Sequence, residues 1–418
     1  MDIRQVIKTI EIQNFKSIDN LKISLGRINV FVGENGAGKS NILEGIALAG
    51  AASARKLDSE FLISRGIRVT QPQLMRPRFP GFSESEIISI DVTPEDKAPV
   101  SFLMKNDNKP YSNWEHTASV KDGSEGALSQ KFQDFLESKT TSKNEMLEVI
   151  KNLSKALDES KKSQPKRRGK KALPITVPIS ASTSFFNFIT SYQEELVAPY
   201  KELSDFIIYS PENTALRLFD KEGQIEPLGI NGEGLIKLLN VLSESDNKDP
   251  INSINGSLRL LDWFDGLTIK AEQGSMPASL EIQDRFLDAD HASFDQRSAN
   301  EGFLFLAFYF ALFSTELTPS FFAIDNIDAS LNPKLCRKLI QIIVNLSKKN
   351  NKQAILTTHN PAILDGLNLS DDDQRLFVVS RDIDGFSNVR RITKDKDDKI
   401  PLSEMFMSGL IGGLPNGF

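Results

Sequence analysis

The feature that most constrains how this chain can fold is a glycine-rich stretch near its start. Residues 33–40 read Gly-Glu-Asn-Gly-Ala-Gly-Lys-Ser and directly follow the apolar run Ile28–Val32. The residues after Lys39 are apolar at helical spacing. A loop of this type between a strand and a helix presents backbone N–H groups that bind phosphate. The stretch therefore predicts an α/β fold with a phosphate-binding loop.

Residues within and beside this loop have separate expected tasks. The glycines let the backbone wrap around phosphates, Lys39 reaches the β- and γ-phosphates of a nucleotide, and the Ser40 hydroxyl ligates Mg²⁺. A chance glycine-rich turn is the alternative, and the flanking strand and helix patterns argue against it. The predicted nucleotide-binding residues in this region are Gly33, Asn35, Gly36, Gly38, Lys39, Ser40 and Asn41.

Two later strand ends supply polar residues for the same site. Phe321–Asp325 is an apolar run that ends in a carboxylate, and Asp325 is the expected second Mg²⁺ ligand beside Ser40. His359 follows another β-rich segment, where it can contact a γ-phosphate or orient a water molecule. A surface histidine at a turn is the alternative. The spacing from Asp325, one strand–helix–strand unit, favours the functional interpretation.

A second anion site is predicted before the most apolar stretch of the chain, Phe303–Phe313. Residues 297–302 read Arg-Ser-Ala-Asn-Glu-Gly. Small and polar residues at the start of a helix leave backbone N–H groups available to an anion. The candidate binding residues of this motif are Ser298, Glu301 and Gly302.

Composition excludes several classes of protein. The 50 Lys and Arg against 56 Asp and Glu give a net charge of −6, which argues against an all-over basic coat for nucleic acid. The one cysteine, Cys336, excludes an intramolecular disulfide and a cysteine-cluster metal site. The longest apolar run is too short to span a bilayer, and the N-terminus lacks a signal-peptide pattern. We therefore expect a cytoplasmic protein without a membrane partner.

The pattern along the chain predicts three parts. Residues 1–120 form an N-terminal lobe with the phosphate-binding loop, residues 121–205 an inserted helical hairpin, and residues 206–418 a C-terminal lobe. Within the insertion, residues 161–171 contain seven Lys or Arg. This cluster is either a solvated loop tip or a contact for phosphate-rich nucleic acid.

The order of these motifs resembles that of ABC-type ATPase heads of the SMC and RecF kind within the AAA family. The resemblance is carried by the segments IEIQNFKSI, FVGENGAGKSN, RSANEG, AIDNIDASLNP and ILTTHNPAIL. The helical insertion takes the place where SMC-type proteins have a coiled coil. A narrower resemblance, in FIIYSPENTALR and GLIGGLPNGF, is to the ATPase subunits of the bacterial antiphage systems PARIS and Septu.

This resemblance implies a P-loop NTPase fold, an ABC-type ATPase head with an inserted helical hairpin, which binds ATP and Mg²⁺. It also implies a head-to-tail homodimer or higher homo-oligomer, in which the motif at 297–302 caps the nucleotide of a second subunit. Residues 328–332 would be the D-loop. Lys16 is expected near the nucleotide, and either Gln71 or Gln73 is expected to be the Q-loop glutamine.

Asn326 departs from the family pattern. Such ATPases place a glutamate directly after the strand aspartate, where the carboxylate polarises the attacking water, and an amide cannot act as a general base. Asn326 and His359 are the predicted catalytic positions, with efficient hydrolysis in question because of Asn326. Either the protein works mainly by binding ATP, or Asn326 is a substitution that traps the protein with ATP bound.

Three functions compete at this point. A nucleotide-switched scaffold or sensor of antiphage defence would control a separately encoded effector, a Toprim-type or HNH-type nuclease, because the chain has no nuclease motif and only about 60 residues follow the His359 motif. A RecF-like DNA-repair ATPase would instead clamp DNA directly. An ABC transporter subunit is disfavoured, because the signature is not LSGGQ and the insertion is long and charged.

Overall fold

The computed structural model describes residues 6–80, 85–95, 99–109, 112–120, 200–219, 223–270, 279–288, 293–393 and 400–414. The chain divides into two units, one of residues 1–120 with 201–418 and one of residues 121–200. The elements described below belong to the first unit. The predicted insertion at 121–205, up to residue 199, and its basic cluster at 161–171 lie outside the described residues.

The strands, in chain order, are β1 (Ile7–Phe15), β2 (Ile18–Ser24), β3 (Ile28–Val32), β4 (Ile87–Pro94), β5 (Val100–Lys105), β6 (Glu115–Val120), β7 (Ile208–Tyr209), β8 (Phe264–Lys270), β9 (Ser279–Asp284), β10 (Ser293–Asp295), β11 (Phe321–Ile324), β12 (Gln353–Thr357), β13 (Gln374–Arg381) and β14 (Ser387–Ile392). The α-helices are α1 (Lys39–Ser53), α2 (Ser59–Ser64), α3 (Lys201–Ser204), α4 (Asn213–Leu216), α5 (Leu235–Glu244), α6 (Asp249–Leu258), α7 (Glu301–Ser314), α8 (Pro333–Lys349) and α9 (Leu402–Met407). Short 3₁₀ helices span Pro72–Met75 and Pro361–Gly366.

Strand β3, which leads into the glycine-rich loop, lies in the middle of a mixed sheet with the order β14-β13-β3-β12-β11-β7. It runs parallel to β12 and β13 on either side, and all five of its residues are buried. A strand covered on both faces requires a nearly continuous apolar run. Its one polar residue, Asn29, bonds Gly26 and the Ala354 carbonyl. Because β3 comes from the first 120 residues and its neighbours from the last 66, both ends of the chain build one sheet.

Helix α7 forms the centre of the hydrophobic core. Every residue from Phe303 to Ser314 is buried, which suits a helix that is apolar on all sides. Its start is set by Asn300, whose side chain accepts a hydrogen bond from the Phe303 N–H at 2.8 Å. The helix predicted at Phe303–Phe313 is confirmed, and it begins two residues earlier than predicted.

Helix α8 is amphipathic and packs its apolar face on the core, with Cys336 buried there. Two antiparallel sheets complete the described part of the unit, in the orders β2-β1-β4-β5-β6 and β10-β9-β8. The tight turn between β1 and β2 passes through Lys16, which has a φ of 50°. The predicted α/β class is confirmed.

Candidate functional site

The predicted site residues collect at one edge of the central sheet. The glycine-rich loop follows β3, Asp325 follows β11, and Thr358 and His359 follow β12. These three strands are parallel neighbours, so their carboxyl ends meet at the same edge. Asp325 and His359 lie about 290 and 320 residues after the loop in sequence. The order of the strands in the sheet therefore brings them next to the loop.

Glycine is required at two positions of the loop. Gly33 and Gly38 have φ values of 154° and 108°, in the region that favours glycine. A Cβ at Gly33 would lie 2.2 Å from the Val379 carbonyl oxygen, and one at Gly38 would lie 2.0 Å from the Ser387 Oγ. Both β13 and β14 therefore pack directly against the loop backbone, and only glycine allows that approach.

The Lys39 ammonium lies inside the loop. Its Nζ donates to the carbonyl oxygens of Gly33 at 2.8 Å and Glu34 at 3.0 Å. Burial lowers the pKa of this amine, and the negative charges of Asp325, Glu34 and Asp328 act in the opposite direction. A buried cation surrounded by backbone groups is positioned to receive a strongly anionic ligand.

Ser40 and Asp325, the two predicted Mg²⁺ ligands, lie close together. The Ser40 Oγ lies 3.4 Å from Asp325 Oδ2, and the Thr357 hydroxyl donates to the other carboxylate oxygen, Oδ1. Hydroxyl and carboxylate oxygens are the donors that Mg²⁺ prefers, and Mg²⁺ commonly takes only one or two protein carboxylates. The described residues contain no cluster of three or more His, Cys, Asp or Glu suited to a metal. The pair therefore fits a Mg²⁺ completed by phosphate and water.

Asn326 adopts a backbone conformation that asparagine tolerates better than most residues. Its φ is 55°, in the left-handed region where Asn is several-fold enriched. Its N–H donates to Thr357 Oγ1 at 2.9 Å, and its side chain is exposed. Thr357 thus links the Asp325 carboxylate to the Asn326 backbone, a role that sequence reasoning missed.

His359 follows the end of β12, at the same edge of the sheet, and its side chain is exposed. Partial removal of water lowers the pKa of its imidazole, the nearby Lys39 charge lowers it further, and Asp328 and Asp325 oppose the change. A lowered pKa keeps the ring neutral at pH 7, able both to donate and to accept a hydrogen bond. The preceding Thr358 donates to Asp328 Oδ1 at 2.6 Å and so ties the histidine segment to the predicted D-loop.

The hairpin formed by β13 and β14 braces the glycine-rich loop, which the sequence reasoning also missed. Arg381 Nε donates to the Gly36 carbonyl at 2.7 Å, and the Ser387 hydroxyl donates to the Ala37 carbonyl at 2.7 Å. Asn41 contributes indirectly, because its Nδ2 donates to the Ser17 hydroxyl, which in turn contacts Ser387. The available sequence signal was Asp384-Gly385, a pair typical of hairpin turns.

Lys16 contacts helix α1 rather than the loop itself. Its ammonium bonds the buried Glu44 carboxylate and the Arg68 carbonyl, and the Arg68 guanidinium also bonds Glu44, at 2.5 Å. Glu44 lies one turn after Ser40 on α1, so Lys16 fixes the helix beneath the site. A direct contact between Lys16 and a nucleotide stays a prediction.

The two glutamine candidates bond each other: Gln73 Nε2 donates to Gln71 Oε1 at 2.7 Å. Phe79, a few residues later, packs edge-on against Phe386 of the hairpin with ring centroids 4.7 Å apart. The segment that contains both glutamines is therefore in contact with the β13–β14 hairpin, which packs against the glycine-rich loop. A contact between either glutamine and a nucleotide stays a prediction.

The motif at 297–302, called the signature motif below, forms a hydrogen-bonded loop that leads into α7. Asp295 accepts hydrogen bonds from the Ser298 N–H at 3.1 Å and its hydroxyl at 3.3 Å. Arg217, within the FIIYSPENTALR segment, donates to three loop carbonyls, those of Gln296 (2.6 Å), Arg297 (2.8 Å) and Ala299 (2.9 Å). Both Ser298 and Glu301 are exposed. Sequence reasoning missed Arg217.

Gly302 places the start of α7, called the signature helix below, against the predicted D-loop at 328–332. A Cβ at Gly302 would lie 3.2 Å from the Ser330 carbonyl oxygen, which is tight for a side chain. The D-loop is in turn bonded to Thr358 through Asp328. The described contacts therefore run from the signature helix to the strand end that carries His359.

Comparison with known proteins places this geometry in context. The SMC head bound to the C-winged helix domain of ScpA has the same fold, with a TM-score of 0.54 at 13% identity over 94% of this chain and 99% of that one. The SMC head domain of Thermotoga maritima gives a TM-score of 0.46 at 14% identity over 93% and 99%. The likeness to the first shows an α/β P-loop NTPase head, as predicted.

Among curated sequences, the uncharacterized protein MJECL10 of Methanocaldococcus jannaschii is 33% identical over 114 residues, which is 26% of this chain and 50% of that protein. The chain thus spans about half the length of that relative. No described helix combines the length and apolar character needed to cross a membrane.

The match to a family model is much longer. The model described as "AAA domain, putative AbiEii toxin, Type IV TA system" matches residues 28–365. This span runs from β3 through the glycine-rich loop, the signature helix and Asp325 to the residues after His359, so it includes the strand ends that build the site. The chain therefore belongs to this AAA-domain family, and its own fold is that of the SMC head.

Proposed function

We propose that this protein binds ATP with Mg²⁺, closes into a head-to-tail dimer around the nucleotide, and thereby controls a separately encoded effector of antiphage defence. The observation that carries the proposal is the convergence of Lys39, Ser40 and Asp325 at one sheet edge, next to a strand end that has asparagine where a catalytic carboxylate is expected. Such a site favours binding and switching over rapid turnover. The family's connection with AbiEii toxins and Type IV toxin–antitoxin systems supports a role in defence.

In this function, Lys39 leaves its two loop carbonyls to pair with the β- and γ-phosphates. Ser40 and Asp325 would hold the cation, and the Thr357 hydroxyl orients the Asp325 carboxylate. Bound Mg²⁺ would neutralise part of the phosphate charge. Neutral His359 is positioned to accept or donate a hydrogen bond at the γ-phosphate end. Because Asn326 is an amide, its side chain cannot accept a proton from the attacking water.

The signature loop supplies the surface for the second subunit. Its exposed Ser298 and Glu301 lie at the start of α7, where the helix N-terminus favours negative charge. In a two-fold dimer the signature loop of each subunit meets the nucleotide bound by the other. The same contact therefore occurs twice in one interface. ATP promotes closure only to the extent that it binds the closed form more tightly than the open one.

We expect Ser298→Arg to block ATP-dependent association while leaving ATP binding by each subunit intact. The added side chain fills the space in which the partner's γ-phosphate would approach. Light scattering with and without a non-hydrolysable ATP analogue measures the association. The matched control is Ser59→Arg, which adds the same charge and bulk at an exposed position of α2. Unchanged association of Ser298→Arg would mean that the dimer uses another surface.

The defence role is tested by phage plating with the full operon, in parallel with the Lys39→Ala variant and a deletion of residues 164–171. The deleted residues belong to the basic cluster at 161–171, which is part of the helical insertion that we propose as the lever or trigger-sensing element. We expect both changes to reduce protection, and only Lys39→Ala to lose ATP binding. Full protection by Lys39→Ala would remove the nucleotide switch from the mechanism. Absence of protection from every operon, the unaltered one included, would favour a RecF-like DNA clamp.

A further inference from the structure

The β13–β14 hairpin contacts two consecutive peptide groups of the phosphate-binding loop. Arg381 donates to the Gly36 carbonyl, which belongs to the peptide between Gly36 and Ala37, at 2.7 Å. Ser387 donates to the Ala37 carbonyl, which belongs to the peptide between Ala37 and Gly38, also at 2.7 Å. The hairpin therefore holds two adjacent peptides of the loop by their carbonyl groups.

In a planar trans peptide the C=O and the N–H point in opposite directions. A hydrogen bond that holds the carbonyl towards the hairpin therefore turns the N–H of the same peptide away from it. For the first peptide this is visible, because the Ala37 N–H donates across the loop to the Glu34 carbonyl oxygen at 3.3 Å, a long bond that a bound phosphate would replace. The second peptide, held by Ser387, directs the Gly38 N–H away from the hairpin in the same manner.

We propose that Arg381 and Ser387 are positioning residues that orient the N–H groups of Ala37 and Gly38 towards the bound phosphates. The inference rests on the proposed ATP site and adds to it the element that aligns its donors. Successive backbone N–H groups that point into one concavity form an anion-binding nest. The side chains themselves act from behind the loop and do not touch the ligand.

The two side chains are themselves held in place. A second donor of Arg381 bonds the Gly385 carbonyl at 3.0 Å, and its guanidinium lies 6.0 Å from the centre of the Phe79 ring. The buried Ser387 is fixed by its own N–H, which donates to the Ser17 carbonyl at 2.7 Å. A rigid template of this kind lowers the entropy that the loop loses when it binds an anion.

The alignment acts on the loop as a whole, so it favours any nucleotide whose phosphates occupy the nest. ATP and ADP share the α- and β-phosphates, and we expect them to lose affinity together when the template is weakened. A residue that touched the γ-phosphate directly would affect ATP far more than ADP. The ratio of the two affinities therefore separates positioning from direct contact.

The experiment measures ATP and ADP dissociation constants, by fluorescence anisotropy of labelled nucleotides, for Arg381→Ala and Ser387→Ala. The expected result is a loss of roughly 5- to 10-fold for each variant and each nucleotide, the size expected for one lost hydrogen bond. We also expect an unchanged ATP/ADP ratio and a smaller loss for Arg381→Lys, which keeps a donor for Gly36. The matched control is Arg391→Ala on β14, whose guanidinium pairs with the exposed Asp372.

Three outcomes would overturn the inference: affinities equal to those of Arg391→Ala, a loss confined to ATP, or a fall in the thermal midpoint without nucleotide that accounts for the weaker binding. If Arg381→Ala does not fold, Ser387→Ala and Arg381→Lys decide the question alone. Lys39→Ala measured in parallel keeps the two hypotheses apart. If Lys39→Ala still binds ATP, the proposed site is wrong; if it does not and the hairpin variants bind normally, only the positioning role is wrong.

Discussion

Lys39→Ala is expected to abolish micromolar binding of a labelled ATP analogue. The ammonium is the positive side-chain charge of the loop at 33–40, and it is held within 3.0 Å of two loop carbonyls. Hydrogen bonds to charged groups contribute about 1.5–3 kcal/mol each, and Lys39 can form more than one with the phosphates. The measurement is equilibrium binding by anisotropy in the presence of Mg²⁺.

A matched lysine removal separates this effect from a general loss of charge. Lys22→Ala removes an exposed lysine of β2 whose ammonium lies 3.5 Å from Glu11, and we expect it to bind the analogue normally. If Lys39→Ala retains micromolar affinity, the assignment of the site fails, and with it the proposed role of Ser40 and Asp325.

Asn326→Glu is expected to raise the steady-state rate of phosphate release. A carboxylate at this position accepts a proton from the attacking water, and general-base assistance is typically worth about 10²–10⁴-fold. The φ of 55° means that the variant is also less stable than the unaltered protein, because a non-glycine residue other than Asn or Asp is disfavoured in the left-handed region by about 1–2 kcal/mol. A colorimetric phosphate assay at saturating ATP and Mg²⁺ measures the change.

Asn326→Gln is the matched control, since glutamine has the length of glutamate and similar backbone strain but no proton acceptor. We expect it to remain as slow as the unaltered protein. If the unaltered protein already turns over as fast as Asn326→Glu, another base is present in the site. Asp328, bonded to Thr358 at 2.6 Å, would then be the first residue to test.

Local sequence patterns determined several parts of this site correctly. The run Ile28–Val32 with the loop at 33–40 predicted a buried strand, a glycine-rich turn and the start of α1, and all three are present; phosphate binding by the turn stays a prediction. Asp325 and His359 were each assigned to a strand end, and each lies at one. These features depend on residues that are close in sequence. The spacing of apolar residues and the positions of the glycines are both visible within ten residues of the chain.

The sequence patterns did not predict the length of short strands. The run 206–211 has the pattern of a strand that ends at a turn, yet β7 has only two residues, Ile208 and Tyr209. Its partner β11 is itself short, and only Ala323 and Ile324 pair with it. The length of a strand is set by what it pairs with, and hydrophobic period does not contain that information.

Tertiary structure alone decided which side chains support the site. Arg381 and Ser387 are 345 and 350 residues away from the carbonyls they bind, and Arg217 lies 79 to 82 residues before the signature carbonyls it holds. Each of these contacts ends on a backbone oxygen. The amino-acid sequence therefore determined the loop, its lysine and the strand-end carboxylate, whose chemistry depends on side-chain type and close spacing. The folded chain decided the bracing contacts, because every residue has the same backbone carbonyl and only the path of the chain selects which one an arginine or serine meets.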